Sequence, residues 1–209
     1  MPMKRNGLML LLVTLQLICC GAVHAESLQQ NLVLCGTCHG PQGAGNQALA
    51  APALAGQDRA YLDHQLHSFR DGKRGYHPDD QAGTRMRAVA LKLSDAEISQ
   101  LATQFGSMKQ SKKSAEVKVG RESYNTTCLF CHGQYAQGYA QLQSPNLNIL
   151  EPWYITAQIA AYNKGWRATA TEQDLPALMM RTIASHLGSQ KELDEVNAYI
   201  GSLSVPVRP

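Results

Sequence analysis

The chain has 209 residues, 44% of them hydrophobic and 17% charged, with a formal net charge of +3. That length leaves room for one or two compact domains, and the hydrophobic content excludes a disordered chain. Aromatic residues make up only 6%; a helical domain of roughly 90 residues would then be short of core volume, so something besides side chains is expected to fill its middle.

Residues 1–25 read as an export leader. Lys4 and Arg5 supply its basic start, Leu8 to Ile18 its apolar run, and Val23-His24-Ala25 the small-residue pattern for cleavage after Ala25. The apolar run is shorter than the ~20 residues a spanning helix needs, which ranks cleavage above a transmembrane anchor. Lipid attachment at Cys20 is a weaker alternative, because Cys19 stands where a small residue is wanted. The expected destination lies outside the cytoplasm. Loss of Lys4 and Arg5 leaves 17 basic against 16 acidic residues. Such a balance offers nothing to nucleic acid, while peripheral membrane association stays open.

Four cysteines remain beyond the leader, in two runs that are each followed at once by histidine: Cys35-Gly-Thr-Cys38-His39 and Cys128-Leu-Phe-Cys131-His132. They stand 93 residues apart, and the offset recurs in Gly40/Gly133, Pro52/Pro145, Leu54/Leu147, Tyr61/Tyr154, Gln65/Gln158, Gly72/Gly165 and Arg74/Arg167. Met86-Arg87 and Met180-Arg181 repeat at 94, and Ser94-x-x-Glu97 and Ser189-x-x-Glu192 at 95. The chain is an internal duplication with two single-residue insertions.

In chain order, a middle helix is predicted from about Arg59 to Phe69 and again from Pro152 to Tyr162, each closed by a glycine, Gly72 or Gly165. A last helix follows in each copy, opened by the Ser-x-x-Glu capping box. Its apolar face is Ile98, Leu101 and Phe105 in the first copy, and Leu193, Val196, Ile200 and Leu203 in the second. No strand pair stands out. The polar run from Lys109 to Ala115 reads as a solvated linker. The expected organisation is therefore all-α, with a leader at 1–25, a first domain at 26–108, a linker at 109–117 and a second domain at 118–209.

Cysteines at i and i+3 share one face of a helical turn, with the next residue's imidazole beside them. Two thiols so placed can add to the two vinyl groups of a haem while the histidine takes the iron. Two haem c groups would also account for the missing aromatic volume. The alternatives are weaker. Paired disulfides are the default in exported proteins. Tetrahedral zinc needs four ligands per site, and a thioredoxin-like pair needs a βαβ context that is missing.

The sixth iron ligand is expected to be Met86 in the first copy and Met180 in the second, which hold the same station in otherwise polar stretches; Met179 competes with Met180. A thioether favours the ferrous state. Pro52 and Pro145 each follow the haem-binding histidine by 13 residues. Their carbonyls could accept the other imidazole N–H, or the prolines could simply make a turn. Arg74 and Arg167 read equally as partners of haem propionates or as solvent-facing residues. His64, His67, His77 and His186 have no counterpart in the other copy and read as surface or core residues rather than ligands.

The two-copy pattern resembles a two-haem class I cytochrome c, most closely the cytochrome c4 family. The residues that carry the resemblance are Cys35 to Gly40, Pro52-Ala-Leu-Ala-Gly-Gln57, Tyr61-Leu-x-x-Gln65, Gly72-Lys-Arg74 and Met86. Their second-copy equivalents are Cys128 to Gly133, Pro145-Asn-Leu147, Trp153-Tyr154, Gln158, Gly165-Trp-Arg167 and Met180. The resemblance spans nearly all of 26–205. It implies two tandem cytochrome c domains, one His/Met haem in each, propionates near the interface, and a hydrogen bond from each haem histidine to Pro52 or Pro145. The implied role is periplasmic electron carriage between a respiratory donor and a terminal oxidase or reductase, with redox proteins as partners and no small-molecule substrate. A haem enzyme, either a di-haem peroxidase or a thiosulfate-oxidising cytochrome, is the competing reading. Two departures stand out. Only nine mature residues precede Cys35, which predicts a short opening helix without the Gly120/Tyr124 ladder of the second copy. The second copy also has Leu147-Asn-Ile-Leu150 in place of Leu-Ala-Gly-Gln.

Overall fold

The computed structural model describes residues 28–109, 118–169 and 173–203. The expected leader and nearly all of the expected linker lie outside the described residues. Two like-ordered sets of helices make up the rest. The first holds α1 (28–39), α2 (Arg59–Arg70), α3 (Gln81–Ala90) and α4 (Asp95–Ser107). The second holds α5 (Arg121–Ser123), α6 (Leu129–His132), α7 (Pro152–Asn163), α8 (Leu175–His186) and α9 (Gln190–Ser202). Among the described residues the only β pairing is three isolated bridges, and two of them, Asn46–Ala51 and Tyr139–Ser144, are the same bridge in each copy.

The helices α2, α3, α4, α8 and α9 start where the sequence supplies a side-chain oxygen for the free amides of the first turn, whereas α7 starts on Pro152, whose missing N–H needs no cap. Asp58 caps α2 through Tyr61 N–H, Asp80 caps α3 through Gly83 N–H, and Asp174 caps α8 through Ala177 N–H. Ser94 and Glu97 form the full reciprocal box at α4. In the second copy the box is displaced by one residue: Ser189 accepts from Glu192 N–H, but the Glu192 carboxylate takes Gly188 N–H instead. Gly188 is the inserted residue that lengthens the repeat offset from 94 at Leu93/Leu187 to 95 at Ser94/Ser189.

The expectation of a short first helix is corrected. α1 covers 28–39 and packs Leu28, Leu32 and Cys35 against the Leu62, Ile98, Leu101 and Phe105 core. Asn31, which lacks the ladder pattern, is tied instead to α4 through an amide bond to Glu97 Oε1 at 2.9 Å. The second copy solves the same crossing with a close approach. Gly120 adopts φ +80°, and a Cβ there would sit 2.1 Å from the Glu195 carbonyl oxygen of α9. Tyr124, fully buried, then packs on Tyr199 with ring centroids 5.4 Å apart. Between α5 and α6, Tyr124–Cys128 widens into a π-turn that delivers the second cysteine pair.

The first core is built on Leu62, Leu93, Ile98, Leu101, Ala102 and Phe105. The second copy has two clusters, one around Tyr124, Tyr154, Tyr199 and Ile200 and one around Ile159, Tyr162, Ala184 and Leu193. α7 lies between them and against the first copy, so it buries Tyr154, Ile155, Ile159, Ala161 and Tyr162 on several sides.

Candidate haem centres and the interface between them

α1 ends in His39 and α6 ends in His132, and both rings are nearly buried at 8% and 7% exposure. His39 Nδ1–H donates to the Pro52 carbonyl at 2.8 Å, and His132 Nδ1–H donates to the Pro145 carbonyl at 3.2 Å. A carbonyl can only accept, so the tautomer is fixed and Nε2 of each ring is left for a metal. Burial, partly offset by the proline bond, lowers the pKa of both imidazoles. Ligation needs this neutral form. Burial also pushes the Cys35 thiol up to about 11 and the Cys128 thiol up to about 12. None of Cys35, Cys38, Cys128 and Cys131 pairs with another in a disulfide, so the weaker disulfide alternative gains no support.

Met86 is half-buried on α3, and Met180 is half-buried on α8 against the Ile159, Tyr162 and Leu193 cluster. Met179, the competing residue, is 47% exposed. The two methionine helices begin alike: Asp80 and Asp174, 94 residues apart, each cap six residues ahead of the methionine. Arg181, beside Met180, holds its helix to the Ala168 carbonyl at 2.5 Å.

Arg74 and Arg167 are not solvent-facing. They are 7% and 5% exposed and are paired through a backbone bridge across the two copies. Arg74 donates to Gln65 at 2.6 Å in its own copy, and to Gln158 at 2.8 Å and Tyr154 at 2.9 Å in the other. Arg167 donates to Gln158 at 2.7 Å and returns a bond to Gln65 at 3.1 Å. Each guanidinium lies over a ring of its own copy, Phe69 or Tyr162, both at 4.3 Å. Burial pushes the nearby Tyr61 phenol up to about 12, so it stays neutral.

This arrangement tests whether the residues fit the implied group. Two cations are buried side by side, and among the described residues their hydrogen-bond partners are amides and a phenol. Arg74 Nε is buried with no partner. Burying charge without a counter-charge is costly. An anionic group at the interface would relieve that cost, which is what haem carboxylates would supply. The donor set and the unmatched charge both fit.

Further contacts cross the same seam. Tyr76 OH donates to the Gly165 carbonyl at 2.6 Å, and His77 stacks on Trp166 at 5.4 Å. His64 Nε2 lies 3.1 Å from Asp174 Oδ2, with the Gln65 amide on its other nitrogen. Burial opposes ionisation of Asp174, yet bonds from His64 and Ala177 N–H, with Lys73 nearby, hold its carboxyl below the usual range. A depressed carboxyl stabilises the fold above the unfolded value of about 3.9, and that contribution is lost as pH falls through the lower folded value. Asp174→Asn is therefore expected to lower stability at neutral pH by about 1–3 kcal/mol. The gap from the native chain should close below about pH 4 in thermal unfolding followed by circular dichroism.

Sequence reasoning missed three features of the site and its seam: the Asp80/Asp174 caps, the His64–Asp174 pair, and a contact in which the Gln57 side chain donates to the Asn146 carbonyl and accepts from the Asn146 N–H. The first had a signal, since both aspartates keep the 94-residue offset. The other two join residues far apart in the chain and leave no periodic trace.

Two duplicated centres, each a cysteine pair followed by a buried, proline-anchored histidine, define a di-haem class I cytochrome c. The family model for cytochrome c matches residues 29–103. Cytochrome c4 of Pseudomonas aeruginosa is 30% identical over 92% of this chain and 96% of its own length. A thiosulfate dehydrogenase electron acceptor of Thiomonas intermedia is 33% identical over 72% of this chain and 70% of its own. The crystal structure of reduced recombinant cytochrome c4 from Pseudomonas stutzeri superposes with a TM-score of 0.69 at 26% identity, covering 86% of this chain and 98% of that one. The chain belongs to the cytochrome c4 family. It is a di-haem electron-transfer protein with two covalently bound haem c groups.

Proposed function

We propose that this chain carries electrons in the periplasm between a respiratory donor and a terminal oxidase or reductase, without acting on a small molecule itself. In this reading the leader is removed after Ala25, the first domain spans 26–108, 109–117 is a linker, and the second domain spans 118–209. Cys35, Cys38 and His39 hold the first haem, and Cys128, Cys131 and His132 the second. Met86 and Met180 supply the sixth ligands, Pro52 and Pro145 orient the histidines, and Arg74 and Arg167 face the propionates. When bound, each haem supplies a one-electron ferric/ferrous couple.

The observation that carries the reading is the equivalence of the two centres. Each imidazole is buried, neutral and held by a proline carbonyl, and each copy sets a methionine at the same turn of an Asp-capped helix. Two fully ligated irons can change oxidation state without binding a substrate, and the side chains only have to hold, orient and shield them. A relative described as the electron acceptor of thiosulfate dehydrogenase supports a carrier role rather than the enzyme reading. Among the described residues no helix is long and apolar enough to cross a membrane, which suits docking to partners in the aqueous phase or at a membrane surface.

The test uses the purified holoprotein. Intact mass should exceed that of the chain by two haem masses. Oxidised and reduced protein should be low-spin and resist carbon monoxide and cyanide. Turnover of thiosulfate or peroxide by the protein alone, with an open iron in either domain, would favour the enzyme.

A further inference from the structure

Gln57 belongs to the first copy, yet its side chain is spent on the second. It is 2% exposed. Its Nε2 donates to the Asn146 carbonyl at 3.1 Å, and its Oε1 accepts from Asn146 N–H at 2.7 Å and from Asp58 N–H at 2.9 Å. The Asn146 amide returns a longer bond to the Gly56 carbonyl at 3.4 Å. This clasp runs one way. The position matching Gln57 in the second copy is Leu150, which has no amide and is buried in the Tyr124 cluster.

The group that Gln57 grips matters. The N–H of Asn146 and the carbonyl of Pro145 are two ends of one planar peptide unit, and that carbonyl accepts the Nδ1–H of His132. A chain of hydrogen bonds therefore runs from Gln57 Oε1 through the 145–146 peptide to the imidazole. Hydrogen bonds in such a chain polarise one another, by roughly 10–30% per bond. Accepting from Asn146 N–H makes the Pro145 oxygen a stronger acceptor, and a stronger acceptor at Nδ1–H makes the opposite nitrogen a more basic ligand.

We propose that Gln57 is a positioning residue for the second haem: it tunes the His132 imidazole from across the domain boundary and holds that haem at a lower potential than an unclasped proline loop would. A more basic imidazole favours the ferric state. The matching position in the second copy returns no such bond, so the first haem is outside its reach. The proposal rests on His132 being the iron ligand, as read above.

Potentiometric titration of the two-haem holoprotein tests it, with Met180→Ala marking which potential belongs to the second domain. Gln57→Leu, which installs the residue of the other copy, should raise the second potential and leave the first unchanged. Gln57→Glu keeps an acceptor toward Asn146 N–H, whether ionised or protonated, and should restore the native value or fall below it. The proposal is overturned if Gln57→Leu moves neither potential, if it moves both together as simple undocking would, or if Leu and Glu shift the second potential alike. Failure of the underlying assignment is distinct: His132→Gly would then leave the second haem low-spin, with the spectrum of the native chain.

Discussion

If Met180 is the sixth ligand as proposed, Met180→Ala is expected to lower the potential of one haem only, by on the order of 0.1 V or more, inside the range of about 0.8 V that axial ligands span. Met86→Ala does the same to the other haem. Each variant would remove the thioether proposed to favour ferrous iron, and should newly bind cyanide or imidazole at the altered centre alone. Met179→Ala provides the control. That side chain is 47% exposed, whereas Met180 packs against the Ile159, Tyr162 and Leu193 cluster. Redox titration with exogenous-ligand binding, followed by absorption spectroscopy, checks all three. An effect of Met179→Ala equal to that of Met180→Ala would reverse the assignment.

Arg74→Leu should uncouple the two halves. It removes three charge-assisted hydrogen bonds, two of which cross the seam to Tyr154 and Gln158. Bonds from a charged donor contribute about 1.5–3 kcal/mol each before compensation. A net loss of about 2–4 kcal/mol of docking follows, because the freed amides can re-pair with each other or with water. The holoprotein should then change from one thermal transition to two, as seen by calorimetry. Adding Arg167→Leu should cost much less than the first change, since both guanidiniums share the same two glutamines and their effects cannot add. Arg74→Lys should not rescue, because a point-like ammonium cannot bridge Gln65 and Gln158 as a planar fork does.

Much of the architecture was legible in the sequence because the repeat reports twice on each element. The expected middle helices, ending at Phe69 and Tyr162, stop one residue short of those observed, at Arg70 and Asn163. Their ends were visible because Gly72 and Gly165 follow. Cys-x-x-Cys-His read as a local pattern and needed no fold to interpret. What stayed hidden was pairing across the seam. Arg74 alone looks the same whether it faces water or a second arginine. The clue that distinguishes them is compound: Gln65 and Gln158 precede the two arginines by the same nine residues, as they would if each amide served both. α1 was misjudged because its contact to α4 uses Asn31 and Glu97 rather than a glycine. A polar tether of that kind carries no periodic mark. Gln57 was visible as a departure between copies, but its target, a backbone peptide 89 positions away, was not.

The shared glutamines also restrict how the gene duplicate can diverge. Gln65 serves Arg167 as well as Arg74, and Gln158 serves Arg74 as well as Arg167. A change at any of the four therefore strands a neighbour in its own half and one in the sister half together. Surfaces turned away from the seam are free to drift and take up separate roles. At these four positions the two descendants of one ancestral domain remain bound to a common specification.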